Sequence, residues 1–142
     1  MIILDTNVLS ELMRPKPSHQ VVNWVARQST VELFTTAITV GEIFYGIESL
    51  PDGKRRHGLL AAAEAMFAED FSGRVLEFES VAARVFSRIA AHRRILGRPI
   101  SHADAQIAAI TQAQKAKLAT HNKADFEDCG IYLVDPWGES KD

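Results

Sequence analysis

Four carboxylates and one amide have the residue types and positions to do chemistry together. Each follows a short apolar run or opens a helix, and they are Asp5, Glu42, Asp104, Asn122 and Asp125. Carboxylates in one pocket repel one another unless a cation lies between them. Ligand sets made only of oxygen select hard cations such as Mg²⁺ or Mn²⁺ over zinc. Such a site is the usual apparatus for activating water against a phosphodiester.

Helix capping is the alternative for each acid taken alone. Asp5 is a favoured N-cap type, and Thr39 to Glu42 and Ser101 to Asp104 both fit a capping box with the acid at its last position. The helix dipole favours an acid in any first turn by roughly 0.3–1 kcal/mol. The residues therefore leave cap or ligand open individually, while the set as a whole favours a shared site.

The first seven residues are the stretch around which the chain is organised. Ile2, Ile3 and Leu4 predict a short buried strand, and Asp5 ends it. A helix follows, because Val8 comes next with further apolar residues at helical spacing. This arrangement places a carboxylate at the carboxyl end of a strand, which is the edge where parallel α/β sheets bind ligands.

Short apolar runs alternate with helical patterns along the rest of the chain. The predicted strands cover 2–4, 32–36, 75–78, 118–120 and 131–134, and the predicted helices follow Asp5, follow Ser18, and span 39–50, 54–70, 80–96 and 101–117. This alternation predicts an α/β fold with a mostly parallel sheet and helices on both faces. Because no repeat or linker is visible, residues 1–142 are predicted to form one domain.

Apolar residues at helical spacing predict which helix faces are buried. The predicted faces are Val21, Val22, Trp24 and Val25 in the second helix, Leu60, Ala63, Phe67 and Phe71 in the fourth, and Val81, Val85, Ile89 and Leu96 in the fifth. Cys129 is the only cysteine, and it is expected to be a small buried apolar residue.

Composition and missing motifs exclude several classes. The formal net charge of -2 argues against a generic polyanion binder, and a single cysteine rules out an internal disulfide. The chain lacks a phosphate loop, a dinucleotide fingerprint, a Gly-x-Ser-x-Gly elbow and metal-ligand spacing among its five histidines. The uncharged stretch from Leu33 to Gly41 is too short to cross a membrane, and no signal peptide is visible, so a cytoplasmic location is expected.

Four segments together resemble the PIN-domain ribonucleases, and within them the VapC toxins of bacterial toxin–antitoxin pairs, especially the FitB-like branch. The segments are Ile3-Leu4-Asp5-Thr6-Asn7, Ala37-Ile38-Thr39-Val40-Gly41-Glu42-Ile43 with Gly46, Ser101 to Asp104 with Ile107-Ala108, and Ala119-Thr120 before Asn122 and Asp125-Phe126. The resemblance extends from Met1 to about Trp137. Its specificity comes from the order and spacing of all four segments.

The resemblance implies a PIN-like three-layer fold and a Mg²⁺-dependent endoribonuclease, with Mn²⁺ as an alternative ion. A metal-activated water would hydrolyse the RNA to leave a 5′-phosphate and a 3′-hydroxyl. Asp5, Glu42 and Asp104 match the family's three main acidic positions and are the implied metal ligands. Asn122 matches a fourth catalytic position that is often Asp, so the number of bound ions is open. The implied supporting residues beside the acids are Thr6, Asn7, Thr120 and Asp125.

The resemblance also implies partners: a homodimer, a cognate VapB-type antitoxin, and operator DNA bound by the toxin–antitoxin complex. Phe44, Tyr45 and Ile47 are candidates for an apolar groove that would take the antitoxin tail, or for core. Candidate RNA contacts are Arg14, Lys16, Arg93, Arg94, Arg98, His121 and Lys123, with Trp24 and Trp137 as candidate base-stacking residues that packing explains more simply.

Two other functions compete with a ribonuclease. The first is a PIN-like binding module that acts with its antitoxin on operator DNA and has weak or no nuclease activity, which the uncharged Asn122 favours. The second is a small phosphatase or receiver-like domain. It is disfavoured because Asp5-Thr6-Asn7 lacks the second acid, two residues later, that phospho-aspartate chemistry would show.

Overall fold

The computed structural model describes residues 1–138 of the chain. The strands are β1 Ile2–Leu4, β2 Leu33–Thr36, β3 Val75–Leu76, β4 Lys117–Ala119 and β5 Tyr132–Val134. They form one sheet in the order β3-β2-β1-β4-β5, and every neighbouring pair is parallel. The prediction of a mostly parallel α/β sheet is confirmed.

Helices connect the strands in the order that the sequence pattern predicts. They are α1 Thr6–Leu12, α2 His19–Ala26, α3 Ala37–Glu48, α4 Lys54–Ala65, α5 Ser80–Ile95 and α6 His102–Ala113. Short 3₁₀ segments cover Thr30–Glu32 and Lys123–Phe126, and a π-helical turn, Met66–Asp70, continues α4. The helix predicted over 54–70 therefore changes type at its end, and α6 is shorter than predicted.

The sheet separates two apolar clusters, one on each face. On one face Ile3 and Leu118 pack against α5 and α6, with Val85, Ile89 and Ile107 among the buried side chains. On the other face Leu4 and Ala119 pack against α1 to α4, and Val8, Leu9, Val21, Ile43 and Ala63 lie there. Successive residues of β1 and of β4 point to opposite clusters, as strand geometry requires. This arrangement leaves the carboxyl ends of the strands as the place where polar side chains gather.

Helix α3 begins two residues earlier than predicted, which changes the position of Glu42. Thr36 is the N-cap, with extended backbone, and its Oγ1 accepts a hydrogen bond from the N–H of Thr39 at 3.1 Å. Glu42 therefore lies in the second turn, and the capping box predicted for Thr39 to Glu42 is wrong. The reason is that β2 turns directly into α3 at Thr36. Ser101 does cap α6 as predicted, because its Oγ accepts from the N–H of Asp104 at 3.2 Å.

Three residues assigned to buried helix faces are exposed. Val22, Val81 and Leu96 are 39%, 69% and 46% exposed. In α5 the buried residues are Ala82, Val85, Ile89 and Arg93, so Val85 and Ile89 are buried as predicted and the two ends of the stripe differ. The sequence pattern missed these ends because alanine is a weak apolar marker and the last inward position carries a charge. Cys129 is buried as expected, at 2% exposed.

None of the helices in residues 1–138 combines the length and the apolar character needed to cross a bilayer.

Candidate active site

A cavity of about 780 Å³ opens at the carboxyl ends of the strands, and all five predicted chemical residues line it. Asp5, Glu42, Asp104, Asn122 and Asp125 reach it from β1, α3, α6 and the loop after β4. Parallel strands bring these turns to one edge of the sheet although they are far apart in the sequence. The other lining residues are Thr6, Asn7, Ser10, Glu11, Arg14, His121, Phe126 and Trp137.

Asp5 is the most enclosed of the acids, at 4% exposed. Its Oδ1 accepts from the N–H of Thr6 at 2.7 Å, so it does cap α1. Its Oδ2 accepts from Asn7 Nδ2 at 3.0 Å and from Thr120 Oγ1 at 2.9 Å. The pKa of Asp5 is raised to about 6, and burial is the largest cause. The hydrogen bonds from Thr6 and Thr120 lower this pKa, and the charges of Asp104 and Glu42 raise it.

Asn7 and Thr120 connect Asp5 to the loop after β4. Asn7 Nδ2 also donates to Thr120 Oγ1 at 3.3 Å, and Asn7 Oδ1 accepts from the N–H of His121 at 3.1 Å. Thr120 Oγ1 accepts in turn from the N–H of Asn122 at 3.1 Å. Asn7 and Thr120 each bond both to Asp5 and to the main chain of this loop. Together they set the position of the loop relative to Asp5.

Glu42 is oriented by Thr6 and does not serve as a cap. Thr6 Oγ1 donates to Glu42 Oε1 at 2.7 Å and lies 3.2 Å from Thr39 Oγ1. Thr39 is buried, whereas Glu42 is exposed to the cavity. Because Glu42 lies beyond the first turn of α3, helix capping does not explain its presence here.

Asp104 lies in the first turn of α6 and is half-buried. Burial is the main cause of the raised pKa of its carboxyl, and the charges of Asp125 and Glu42 add to it. The hydrogen bond with Ser101 and the charge of Arg93 act in the opposite direction. Asp104 thus caps weakly, as an acid in a first turn does, and also faces two other carboxylates across the cavity.

The loop that carries Asn122 and Asp125 is held by a buried cation. Arg93 is 5% exposed, its Nη1 donates to the carbonyls of Asp125 at 2.9 Å and Glu127 at 3.0 Å, and its Nε donates to the carbonyl of Arg98 at 2.7 Å. The prediction of Arg93 as an RNA contact is wrong, because its donors are used inside the protein. Its place four residues after Ile89 on the buried stripe is the sequence signal for that role.

The other predicted RNA contacts divide by position. Arg14 and His121 line the cavity, whereas Lys16, Arg94, Arg98 and Lys123 are outside its described lining. Arg98 forms ion pairs with Glu127 and Asp128 at 3.3 and 2.9 Å. Trp137 lines the cavity, and Trp24 instead packs against an apolar cluster.

Asp135 is a site residue that the sequence reasoning missed. It follows β5 as Asp5 follows β1, and its Oδ1 accepts from the N–H of Trp137 at 2.9 Å. Both of its carboxylate oxygens lie 3.3 Å from His121 Nδ1. The signal that could have found it is the one used for Asp5, an acid directly after a short apolar strand.

A second, more apolar cavity of about 430 Å³ lies beside the first between α1, α3 and α4. It shares Ser10, Arg14 and Glu42 with the first cavity, and Ile43, Ile47 and Leu59 are among its other lining residues. Of the residues predicted as groove or core, Ile47 is buried and lines this cavity, Phe44 is partly buried against the core, and Tyr45 is 76% exposed.

The donor chemistry around the first cavity fits a hard divalent cation. The acids supply only oxygen. Besides burial, the charges of Asp104 and Glu42 raise the pKa of Asp5, and the charges of Asp125 and Glu42 raise the pKa of Asp104, a repulsion that a cation would offset. Within residues 1–138, no group of three His, Cys, Asp or Glu side chains has the geometry to hold a metal ion. The fit is therefore one of ligand type and electrostatics.

Comparison with known proteins agrees with this fold. The PIN domain family matches residues 2–131. The VapC ribonuclease Y4jK of Sinorhizobium fredii is 36% identical over 96% of this chain and 98% of its own length, and the toxin FitB of Neisseria gonorrhoeae is 33% identical over 96% and 99%. The solved structure of FitAB bound to an IR36 DNA fragment is similar with a TM-score of 0.91 and 32% identity, over 99% of this chain and 98% of that one.

The architecture is that of an α/β domain with an acidic cavity at the carboxyl edge of a parallel sheet. The chain belongs to the PIN domain family.

Proposed function

We propose that this protein is a metal-dependent endoribonuclease and the toxin of a VapBC-type toxin–antitoxin pair. The observation that carries the proposal is the meeting of Asp5, Glu42, Asp104 and Asp125 at one cavity, where neighbouring charges raise the pKa of Asp5 and Asp104. Similarity to a VapC ribonuclease and to a FitB toxin supports the reaction and the biological role.

The proposal gives the acids the role of holding a divalent ion. Asp5, Glu42 and Asp104 would bind Mg²⁺, with Mn²⁺ as an alternative, and Asn122 would take the fourth catalytic position through its amide oxygen. When bound, the ion supplies Lewis-acid chemistry, because it lowers the pKa of water and offsets the negative charge of the phosphodiester. The expected products carry a 5′-phosphate and a 3′-hydroxyl.

The remaining polar residues orient this set. Thr120 and Asn7 fix the Oδ2 atom of Asp5, and the N–H of Thr6 fixes Oδ1. The Thr6 hydroxyl directs Glu42 toward the cavity. Asp125 adds a fourth negative charge beside Asp104, and its main chain is fixed by Arg93. Pre-orientation of this kind lowers the cost of arranging ligands when substrate binds.

We place the toxin in the cytoplasm, where RNA and a newly made antitoxin are available. Residues 1–142 would act there as one catalytic domain. We propose a homodimer that binds a VapB-type antitoxin, and a toxin–antitoxin complex that binds operator DNA. The similar FitAB complex, which was solved with a bound DNA fragment, supports the last step. The apolar cavity beside the acids is the proposed place for the antitoxin tail.

The test is cleavage of total bacterial RNA by antitoxin-free protein in Mg²⁺, Mn²⁺ or EDTA. Discrete fragments are expected from the unmutated protein with either metal, and none with EDTA. Asp5→Asn should give no fragments, whereas Asp52→Asn, the same substitution at an acid outside the described cavity lining, should cleave normally. Mn²⁺ should also raise the melting temperature of the unmutated protein and not that of Asp5→Asn.

Absence of cleavage by folded protein in every metal would refute the nuclease. In that case the operator-binding alternative would account for the chain, and binding of promoter DNA with the antitoxin would be measured next.

A further inference from the structure

The rim of the acidic cavity carries a pair of stacked rings that the proposed chemistry does not use. The rings of His121 and Trp137 have centroids 4.4 Å apart and planes inclined by 34°. Both side chains line the cavity that Asp5, Glu42 and Asp104 also line. We call His121 and Trp137 together the rim platform.

The rim platform is buried on its inner side and open on its outer side. Trp137 packs against the apolar cluster that contains Leu4 and Val8, and Pro136 beside it is buried. The side chain of His121 is 54% exposed although one of its faces meets Trp137. A ring with one face on a tryptophan and the other in water offers a flat surface for a further ring.

Asp135 fixes both members of the platform. Its Oδ1 accepts from the N–H of Trp137, and His121 Nδ1 lies 3.3 Å from each of its carboxylate oxygens. Asp135 is only 14% exposed, whereas the His121 side chain is 54% exposed, so the connection is anchored at its buried end and open to water at the ring. The His121 ring therefore has a set orientation and does not behave as a free surface side chain.

The platform is also connected to the acids. The N–H of His121 donates to Asn7 Oδ1, and Asn7 Nδ2 donates to Asp5 Oδ2. Two hydrogen bonds therefore fix the distance between the platform and the most buried carboxylate. The cavity volume of about 780 Å³ falls within the usual range for ligand sites, roughly 300–1,000 Å³, and it leaves room for more than one phosphate group.

We propose that the rim platform binds one nucleobase of a single-stranded RNA by stacking on the open face of His121, while the adjoining phosphate lies over the acids. The inference rests on the proposed ribonuclease function. Stacking accepts any base, since every base has a π-face, so the platform positions the strand without selecting a sequence. It makes His121 a substrate-positioning residue and Trp137 its support.

The experiment measures binding of fluorescein-labelled eight-nucleotide RNAs, A8 and U8, by anisotropy in Mg²⁺. All variants carry Asp104→Asn so that the RNA stays intact. His121→Ala should weaken binding about 10-fold, which is within the range found when a stacking side chain is removed. His121→Phe keeps a ring without a charge and should bind within about 3-fold of the parent. His121→Lys supplies a positive charge without a ring and should resemble His121→Ala.

Two controls separate stacking from other roles. Lys117→Ala removes an exposed cation at the amino end of β4, opposite the strand ends that form the cavity, and should change affinity no more than about 2-fold. Replacing single nucleotides of A8 by abasic residues should identify one position at which the loss of affinity equals that of His121→Ala. Combining this RNA with that variant should give no further loss.

Each remaining outcome overturns the inference in a distinguishable way. If His121→Lys binds like the parent and His121→Phe does not, the residue acts as a charge. If all three variants lose affinity together with melting temperature, the platform only closes the fold. If the unmutated protein cleaves RNA and His121→Ala binds normally, stacking is refuted alone. If the unmutated protein neither cleaves nor binds RNA, the proposed function fails as well.

Discussion

The two sides of the acidic cavity are held very differently. On the strand side, Asp5 is 4% exposed and accepts hydrogen bonds from three groups. On the helix side, Glu42 is exposed and its carboxylate accepts from Thr6 alone, among the contacts in the described part of the chain. Asp5 on the strand side is therefore held in one position, whereas Glu42 on the helix side is free to adjust when an ion or a phosphate binds. Catalytic sites need both, because ligands must be placed before the charge that they stabilise develops.

The largest expected effect comes from replacing an acid on the helix side, which should abolish activity and leave the fold intact. Asp104→Asn should lower kcat by more than about 100-fold, in the range seen when one charge-stabilising group is removed. The melting temperature should stay within about 2 °C, since the cap of α6 uses the Ser101 hydroxyl and the N–H of residue 104. Cleavage assays and thermal melts measure the two quantities. Normal cleavage by Asp104→Asn would make this acid a helix cap only.

The second test concerns Arg93, the buried residue that supports the loop after β4. Arg93→Met should cost about 3 kcal/mol of the free energy of unfolding, because three carbonyl groups lose their charged donor in a buried place. Arg98→Met is the matched control. It removes exposed ion pairs and should cost less than about 1 kcal/mol. Urea denaturation of both variants measures the difference, and equal costs would contradict the role given to Arg93.

The third test concerns the strand side and its dependence on pH. Burial raises the pKa of Asp5 from 3.8 to about 6, so the folded protein binds more protons than the unfolded chain between these values. This carboxyl therefore favours folding most below about pH 4, and stability falls as pH rises through 6, by about 3 kcal/mol in total. Asp5→Asn removes this dependence, at a cost of about 1 kcal/mol for one mismatched hydrogen bond with Asn7.

The two proteins should therefore exchange order with pH. In EDTA at pH 7, Asp5→Asn should melt a few degrees above the unmutated protein, and at pH 4 it should melt slightly below it. Asp52→Asn, at an exposed acid, serves as the control for a change of net charge. If Asp5→Asn melts lower than the unmutated protein at both pH values, the Asp5 carboxylate stabilises the fold at neutral pH, and the prediction is wrong.

The same contrast explains what the sequence can and cannot predict. Asp5 and β1 follow from a short apolar run with an acid at its end, and the parallel sheet follows from the alternation of strands and helices. Asp135 is likewise an acid directly after a short apolar strand, β5, and it positions the main chain of Trp137, so the same rule would have predicted it. Strand ends are thus predictable because their rule is local.

Residues on the helix side depend on packing between distant elements. The start of α3 is set by where β2 ends, so Glu42 lies one turn deeper than its capping pattern predicts. Arg93 has the residue type of a surface cation, but it is buried at the end of the α5 stripe, on a helix that packs against α6. The start of α3 is not signalled by neighbouring residues, and the burial of Arg93 is signalled only by its spacing from Ile89. For this reason the sequence found the acids but misjudged how two of the supporting parts are arranged.

The smallest expected effect concerns Asn122, the uncharged residue that lines the cavity from the loop after β4. Its N–H donates to Thr120 Oγ1, and as the residue before a 3₁₀ segment its side chain makes no capping bond. Asn122→Asp should therefore leave the fold unchanged, add one carboxylate to the cavity, and tighten Mn²⁺ binding by about 3- to 10-fold in calorimetry. Asn7→Asp makes the same change on the strand side, where the lost amide leaves Asp5 Oδ2 facing another carboxylate. It should lower the melting temperature. If both variants behave alike, the two sides do not differ in the way that the hydrogen bonds indicate.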